Sequence, residues 1–307
     1  MNNRIKTLAR AVVSAALIPL AAISVQAADG YGRSATGGTG GANVTVTTAA
    51  QLKQYAESTT TYNITVSGTI DVNSTGTSVK VKSNKTIKGA NTSATVKGCL
   101  DLGSGGVNNV IIQNLRITNP GGDGITLMGG CTNVFITKCE FFDCADGCCD
   151  IGDSANNITV SWCKFNYPSQ ADHRFTMILG RSTDPAGYLK VTLHHNWWAS
   201  RCDQRMPSGS YGQGHLYNNY FNCSGNSYCT NARVGSNWLV QNSYYQSVKN
   251  PLYEEGGGKI KSSGNTFASC TGLINVATGA GFTLPYGYTL DATANVPTRV
   301  QGGAGNR

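Results

Sequence analysis

Apolar and polar residues alternate through residues 109–267, and the alternation recurs in seven similar nine-residue segments. NVIIQNLRI begins at Asn109, NVFITKCEF at Asn133 and NITVSWCKF at Asn157. KVTLHHNWW begins at Lys190, QGHLYNNYF at Gln213, SNWLVQNSY at Ser236 and KIKSSGNTF at Lys259. The first two steps are 24 residues and the last three are 23. The middle step is 33, so an insertion of about ten residues lies between Phe165 and Lys190. A fixed period of this size marks a solenoid, in which each unit buries its apolar face against its neighbours.

Alternation with frequent Val, Ile, Thr, Tyr and Trp predicts that the unit is a strand. Position seven reads Leu115, Cys139, Cys163, Asn196, Asn219, Asn242, Asn265. In a parallel coil these residues stack about 4.8 Å apart, and the four asparagines can pass hydrogen bonds from rung to rung. Position nine is apolar or aromatic throughout (Ile117, Phe141, Phe165, Trp198, Phe221, Tyr244, Phe267) and is expected to stack in the core. The predicted fold is all-β, a right-handed parallel β-helix. An ordinary β-sandwich leaves the regular period unexplained.

The flanking segments are read less directly. Residues 28–42 are rich in Gly, Ser and Thr and are expected to run as a loose lead-in. Thr47 is placed as the cap of a short amphipathic helix with Leu52, Tyr55 and Ala56 on one face, closing the open end of the coil. The tail from Thr283 is rich in Pro, Gly and Tyr and is expected to pack outside the coil.

Composition sets the compartment. Residues 1–27 carry Arg4, Lys6 and Arg10, an apolar run and Val25-Gln26-Ala27, the layout of a secretory signal. The run is too short to span a bilayer, and no later stretch is long enough, so no membrane partner is expected. Residues 28–307 are then one secreted, extracellular β-helix domain, expected as a monomer. Removing the three basic residues of the leader lowers the formal charge from +8 to +5. That modest excess suits a polyanion or an ordinary solvated surface, and nothing points to nucleic acid. The 11 cysteines all lie between Cys99 and Cys270. An exported chain favours disulfides over zinc, and Cys223 with Cys229 is the pair expected first.

Two clusters carry candidate chemistry. Asp123 and Asp146 lie 23 residues apart, close to one coil, and Asp150 follows Asp146 by four. Fully extended, those last two carboxylates would stand about 13 Å apart. Sharing an ion therefore needs a bend, which Gly147 allows. Converging carboxylates repel unless a cation lies between them, and hard oxygen ligands suit Ca²⁺. On spacing alone, a calcium site and solvated turn aspartates remain equally open. The second cluster is basic: Arg201 and Arg205 after the 190–198 segment, and His173, Arg174 and Arg181 in the insertion. Guanidiniums facing carboxylates across a groove fit a polymer that itself carries carboxylates.

Five ordered motifs sharpen this picture: GDGITL from Gly122, DGCCDI from Asp146, VTLHHNWW from Val191, QRMP from Gln204 and HLYNNYF from His215. Together they resemble the pectate lyases of polysaccharide lyase family one, over most of the mature chain. The resemblance implies calcium-dependent β-elimination of polygalacturonate, giving 4,5-unsaturated products. It implies Asp123, Asp146 and Asp150 as metal ligands and Arg205 as the base. It makes His173, Arg174, Arg201 and Arg233 candidates for substrate binding. A guanidinium releases a proton reluctantly, so a base at Arg205 implies a rate that rises into alkaline pH.

The chain departs from the family pattern at Ser210, where a second arginine is usual, at Gly152 in place of a lysine, and at 135–138. In the D-K-x-x-L-I-G segment, His173-Arg174 replaces the lysine. Three alternatives stand beside the lyase. A polygalacturonase-type hydrolase would use Asp146 and Asp150 as acid and base. A pectin lyase would act without calcium. A calcium-stabilised carbohydrate-binding solenoid would not act at all.

Overall fold

Strands recur every coil because each 23- to 24-residue unit turns three corners and buries one side of each straight run. The computed structural model describes residues 27–274 and 278–307. A long sheet holds ten parallel strands, from Ala42–Val46 to Lys259–Ser263. A second sheet of nine runs from Thr69–Asp71 to Thr266–Ala268. The third face comes in two parts, four strands from Val79–Lys80 to Cys149–Ile151 and three from Ser208–Gly209 to Leu252–Glu254. The insertion interrupts it, and isolated bridges at Leu179 and Ile178 carry the pairing across. The result is the expected parallel β-helix, of about nine turns. Parallel strands joined by crossovers favour the right hand. The leader at 1–26 lies outside the described residues.

The corner between the long and second sheets explains the repeat. Its first residue is left-handed in seven successive coils: Asn114, Lys138, Trp162, His195, Asn218, Asn242 and Gly264, with φ between +43° and +64°. That conformation is costly for side chains other than glycine and persists only where the surroundings fix it. The next residue does so. Asn196 Oδ1 accepts from the Cys163 amide at 2.9 Å, and Asn219 Oδ1 from the Asn196 amide at 2.9 Å. Their amide nitrogens donate to the carbonyls of Val160 and Leu193. The ladder therefore ties side chain to backbone rather than amide to amide.

Here the structure corrects the spacing by one residue. Gln213 pairs with Asn237, and Asn237 with Lys259. The ladder position is Ser243, whose Oγ accepts from the Asn219 amide at 3.1 Å, and Asn242 is the left-handed corner. The core aromatic is correspondingly Tyr245, not Tyr244. The stack runs Phe141, Phe165, Trp198, Phe221, Tyr245 and Phe267, with neighbouring centroids 4.3–5.3 Å apart. Replacing Asn219 by Ala strands a buried donor and a buried acceptor. We expect it to cost about 3 kcal/mol in urea unfolding, and Asn219→Ser, which keeps the acceptor as Ser243 does, to cost less than half of that.

Helix α1 (Ala49–Ala56) closes the first coil with Leu52 and Ala56 buried. Its cap is Thr48, one residue later than the sequence suggested, because the Thr48 hydroxyl accepts from the Gln51 amide. The Thr47 amide, one residue before the cap, donates to Gln51 Oε1 at 2.9 Å, a near relative of the capping box. The lead-in is not loose. Gly30, Tyr31 and Gly32 are buried against the long sheet, where the Tyr31 and Gly32 amides donate to Thr192 and Thr159. Gly32 has no room for a side chain, since a Cβ there would meet the Val134 carbonyl at 2.5 Å. The tail packs outside the coil as expected: α2 (Val296–Gly303) lies on Tyr220, Trp197 and Tyr244. At the far end, the last long-sheet strand exposes Lys259 and Lys261.

The cysteines also differ from expectation. All 11 are unpaired thiols. Cys223 and Cys229 are both buried with their side chains in contact as thiols, Cys223 Sγ lying 3.4 Å from Met206 Sδ and Cys229 Sγ accepting from the Asn226 side-chain amide. They serve as small core residues.

Candidate active site

Turns that lead from the second sheet into the third face deliver the acidic and basic clusters to one side of the coil. Asp123 precedes the strand Ile125–Leu127, and Asp146 precedes Cys149–Ile151, which contains Asp150. Thr126 and Asp150 are direct ladder partners. The bend expected at Gly147 is present and tight. A Cβ there would lie 2.2 Å from Asp150 Oδ1, so only glycine lets this carboxylate fold back.

Each aspartate has its own environment. Asp150 is 4% exposed, and its Oδ1 accepts from the Ile178 amide at 3.0 Å. Burial first, then the charge of Asp123, push its carboxyl up to about 7, against the pull of the Ile178 amide and Arg205. Asp123 Oδ1 accepts from the Gly147 amide at 2.8 Å. Its carboxyl is also raised, by burial and then by Asp146, with the Gly147 amide and Arg181 opposing. Asp146 is half-exposed and pairs with Arg205, Oδ1 to Nη1 at 3.4 Å.

Among the described residues, no three His, Cys, Asp or Glu side chains are gathered closely enough to hold an ion unaided. The donor set nevertheless fits a hard cation. It is all oxygen and anionic, each buried member is driven toward neutrality by burial and then by another's charge, and Asp146 Oδ2 and Asp150 Oδ2 take no hydrogen bond among the described residues. A cation between them removes that repulsion. Full coordination then needs side-chain rotation and further oxygens from water or substrate.

Arg205 is the best-defined cation. Its backbone is left-handed, φ +58°, and its carbonyl is fixed by the Met177 amide at 2.8 Å and by the Thr176 hydroxyl. The guanidinium carbon sits 4.4 Å from the Phe175 ring centroid, stacked on one side and paired with Asp146 at its tip. Phe175 belongs to the insertion and is bridged to Gln204. It had no signal in the repeat, because the insertion breaks the period.

The other cations separate. Arg201 lies in the same turn but spends its donors on the insertion, Nη2 to Gln170 O at 2.8 Å and Nη1 to Pro168 O at 3.3 Å. That is a clamp on the insertion, made by a side chain that stays exposed. His173 is exposed at the lip of the insertion, 4.7 Å from Phe175. Arg174 is half-buried and makes no ion pair among the described residues. Arg233 follows the strand Thr230–Ala232 and reaches Glu255 at 3.7 Å, an exposed pair that leaves it available. Arg181 is exposed and close enough to Asp123 to oppose the upward shift of its carboxyl. Beside Asp123 a cavity of about 360 Å³ opens, lined by Asn73, Thr77, Ser78 and Asn119.

The family model described as pectate lyase matches residues 5–306. A pectate trisaccharide-lyase of Bacillus licheniformis is 33% identical over 316 residues, covering 97% of this chain and 90% of the relative. A second, from Thermotoga maritima, is 37% identical over 219 residues, covering 66% and 57%. Among solved structures, the pectate lyase of Bacillus sp. N165, in complex with trigalacturonate, superposes with a TM-score of 0.77 at 28% identity, covering 91% of this chain and 98% of that one. These matches are lyases, which answers the hydrolase alternative at the level of the family. The chain belongs to the pectate lyase family, and is a polysaccharide lyase on a parallel β-helix.

Proposed function

We propose that this protein is a secreted pectate lyase that cleaves de-esterified pectin by calcium-dependent β-elimination, with residues 28–307 as one catalytic domain. The carrying observation is Arg205, stacked on Phe175 and paired with Asp146 beside the carboxyl cluster. Export rests on the leader at 1–27. In this reading Asp123, Asp146 and Asp150 hold the ion. When bound, Ca²⁺ supplies positive charge for a uronate carboxylate and so acidifies the proton on the adjacent carbon.

The remaining steps belong to the chain's own residues. Arg205, as neutral guanidine, takes the proton from carbon-5. The electron pair forms the double bond between carbons 4 and 5, the bond from carbon 4 to the glycosidic oxygen breaks, and that oxygen takes a proton from solvent. The Phe175 face fixes the orientation of the Arg205 plane and shields it on one side. Arg174, Arg233, Arg181 and His173 border the groove and attract further uronates. Arg201 acts behind them, holding the insertion in place.

The test is incubation with polygalacturonate, following the ultraviolet absorbance of the new carbon–carbon double bond. Absorbance that rises, stops with a chelator and returns with added Ca²⁺ is the expected result. Cleavage without absorbance would mean hydrolysis, and rise unaffected by the chelator would remove calcium from the account.

A further inference from the structure

A second cavity, of about 420 Å³, lies on turns that join the third face to the long sheet. Those turns leave the strands at the end opposite to the one where Asp123, Asp146 and Arg205 enter. Its walls are Tyr188, Lys190, Tyr211, Gln213 and Asn237. Tyr188 is 44% exposed. Gly235, at φ +72°, lets the Tyr211 ring lie against its turn, since a Cβ there would meet the ring at 2.3 Å. Neither tyrosine hydroxyl, nor the Lys190 ammonium, nor the Gln213 amide has a protein partner among the described residues. Asn237 Oδ1, screened from solvent, is an acceptor without a donor. Two aromatic rings, an ammonium and a side-chain amide without protein partners converge on this one concave surface, the kind of lining that small polar ligands use.

We infer that this cavity binds an acidic sugar of the substrate polymer, as a docking site distinct from the reacting centre. Aromatic faces stack on sugar rings, the amides and phenols exchange hydrogen bonds with hydroxyls, and one ammonium selects a carboxylate. The choice of uronate over other acidic sugars rests on the proposed function; the site itself does not. A chain tethered there is held near the catalytic groove at raised effective concentration.

The test uses Tyr188→Ala and Lys190→Gln in the full-length protein. Electrophoresis through gels containing polygalacturonate or a neutral galactan reads binding, and turnover of polymer and of a short oligogalacturonate reads catalysis. Each variant is expected to be retarded less than wild type by polygalacturonate and to raise KM for the polymer about fivefold, with the short substrate changed less than about twofold. Wild-type retardation in the variants, equal retardation of the wild type by neutral galactan, or parallel losses on short and long substrates would each overturn the inference. Failure of the lyase reading shows separately, as absence of unsaturated product from wild-type protein, while the gel still reports on the cavity.

Discussion

Arg205→Lys is expected to lower turnover of polygalacturonate at least about a thousandfold while circular dichroism and thermal unfolding stay close to wild type. Lysine keeps the charge and loses the geometry. The guanidinium is a planar group that contacts Phe175 with its face and Asp146 with its edge at once. An ammonium on a flexible stem makes one of those contacts or the other. The backbone needs no change, because the left-handed turn at 205 is held by Met177 and Thr176 through the carbonyl. In wild type, kcat is expected to climb from neutral to mildly alkaline pH. Near wild-type turnover in the variant, or a flat pH profile, would take the base role away from Arg205.

The second large effect separates activity from stability. Asp150→Asn is expected to reduce activity at least about a hundredfold, yet to raise the melting temperature of chelator-treated protein above pH 7. The sign follows from linkage. The Asp150 carboxyl is raised from 3.8 to about 7 in the fold. Between those values the native state holds a proton that the unfolded chain has released, so the metal-free protein loses stability as pH rises through that window. Asparagine keeps an acceptor for the Ile178 amide and carries no charge to desolvate. Bound cation should reverse the order, stabilising wild type and leaving the variant unmoved. Melting curves with chelator and with Ca²⁺, at pH 5 and pH 8, measure all four cases. Equal melting temperatures for the two proteins in chelator at pH 8 would refute the account.

How far the chain could be read depended on what repeats. Strand type, coil period and the stacked aromatic column were legible because a parallel solenoid writes the same constraint in every turn. The slip at Ser236 came from giving each of the last units 23 residues, when the structure adds one residue and then removes it. Both Asn242 and Ser243 have chemistry suited to the corner, so local pattern could not choose between them. Features that occur once were invisible. The lead-in looked loose because glycine and threonine are frequent in loops, yet Gly30 and Gly32 are small so that backbone can lie on a sheet. Asp123, Asp146 and Asp150 were found from spacing, and their neighbourhood is real, although they do not form a closed cage. Arg201 stands out by its sequence proximity to Arg205, while its contacts with the insertion carry no signal in the repeat. Cys223 and Cys229 do meet in the core, as their spacing suggests, but they meet as thiols.

The exposed lysines on the final strand answer a question that every coil of this type faces, namely why it ends. Each turn offers the next a row of unsatisfied amides and carbonyls, and chemistry alone gives no reason to stop. Lys259 and Lys261 place like charges where a sister molecule would have to abut, and the amide of Gly279 already occupies the carbonyl of Ile260. Such a terminus is hostile to fibril growth, which leaves the flank of the cylinder, not its tip, as the surface offered to a long carbohydrate.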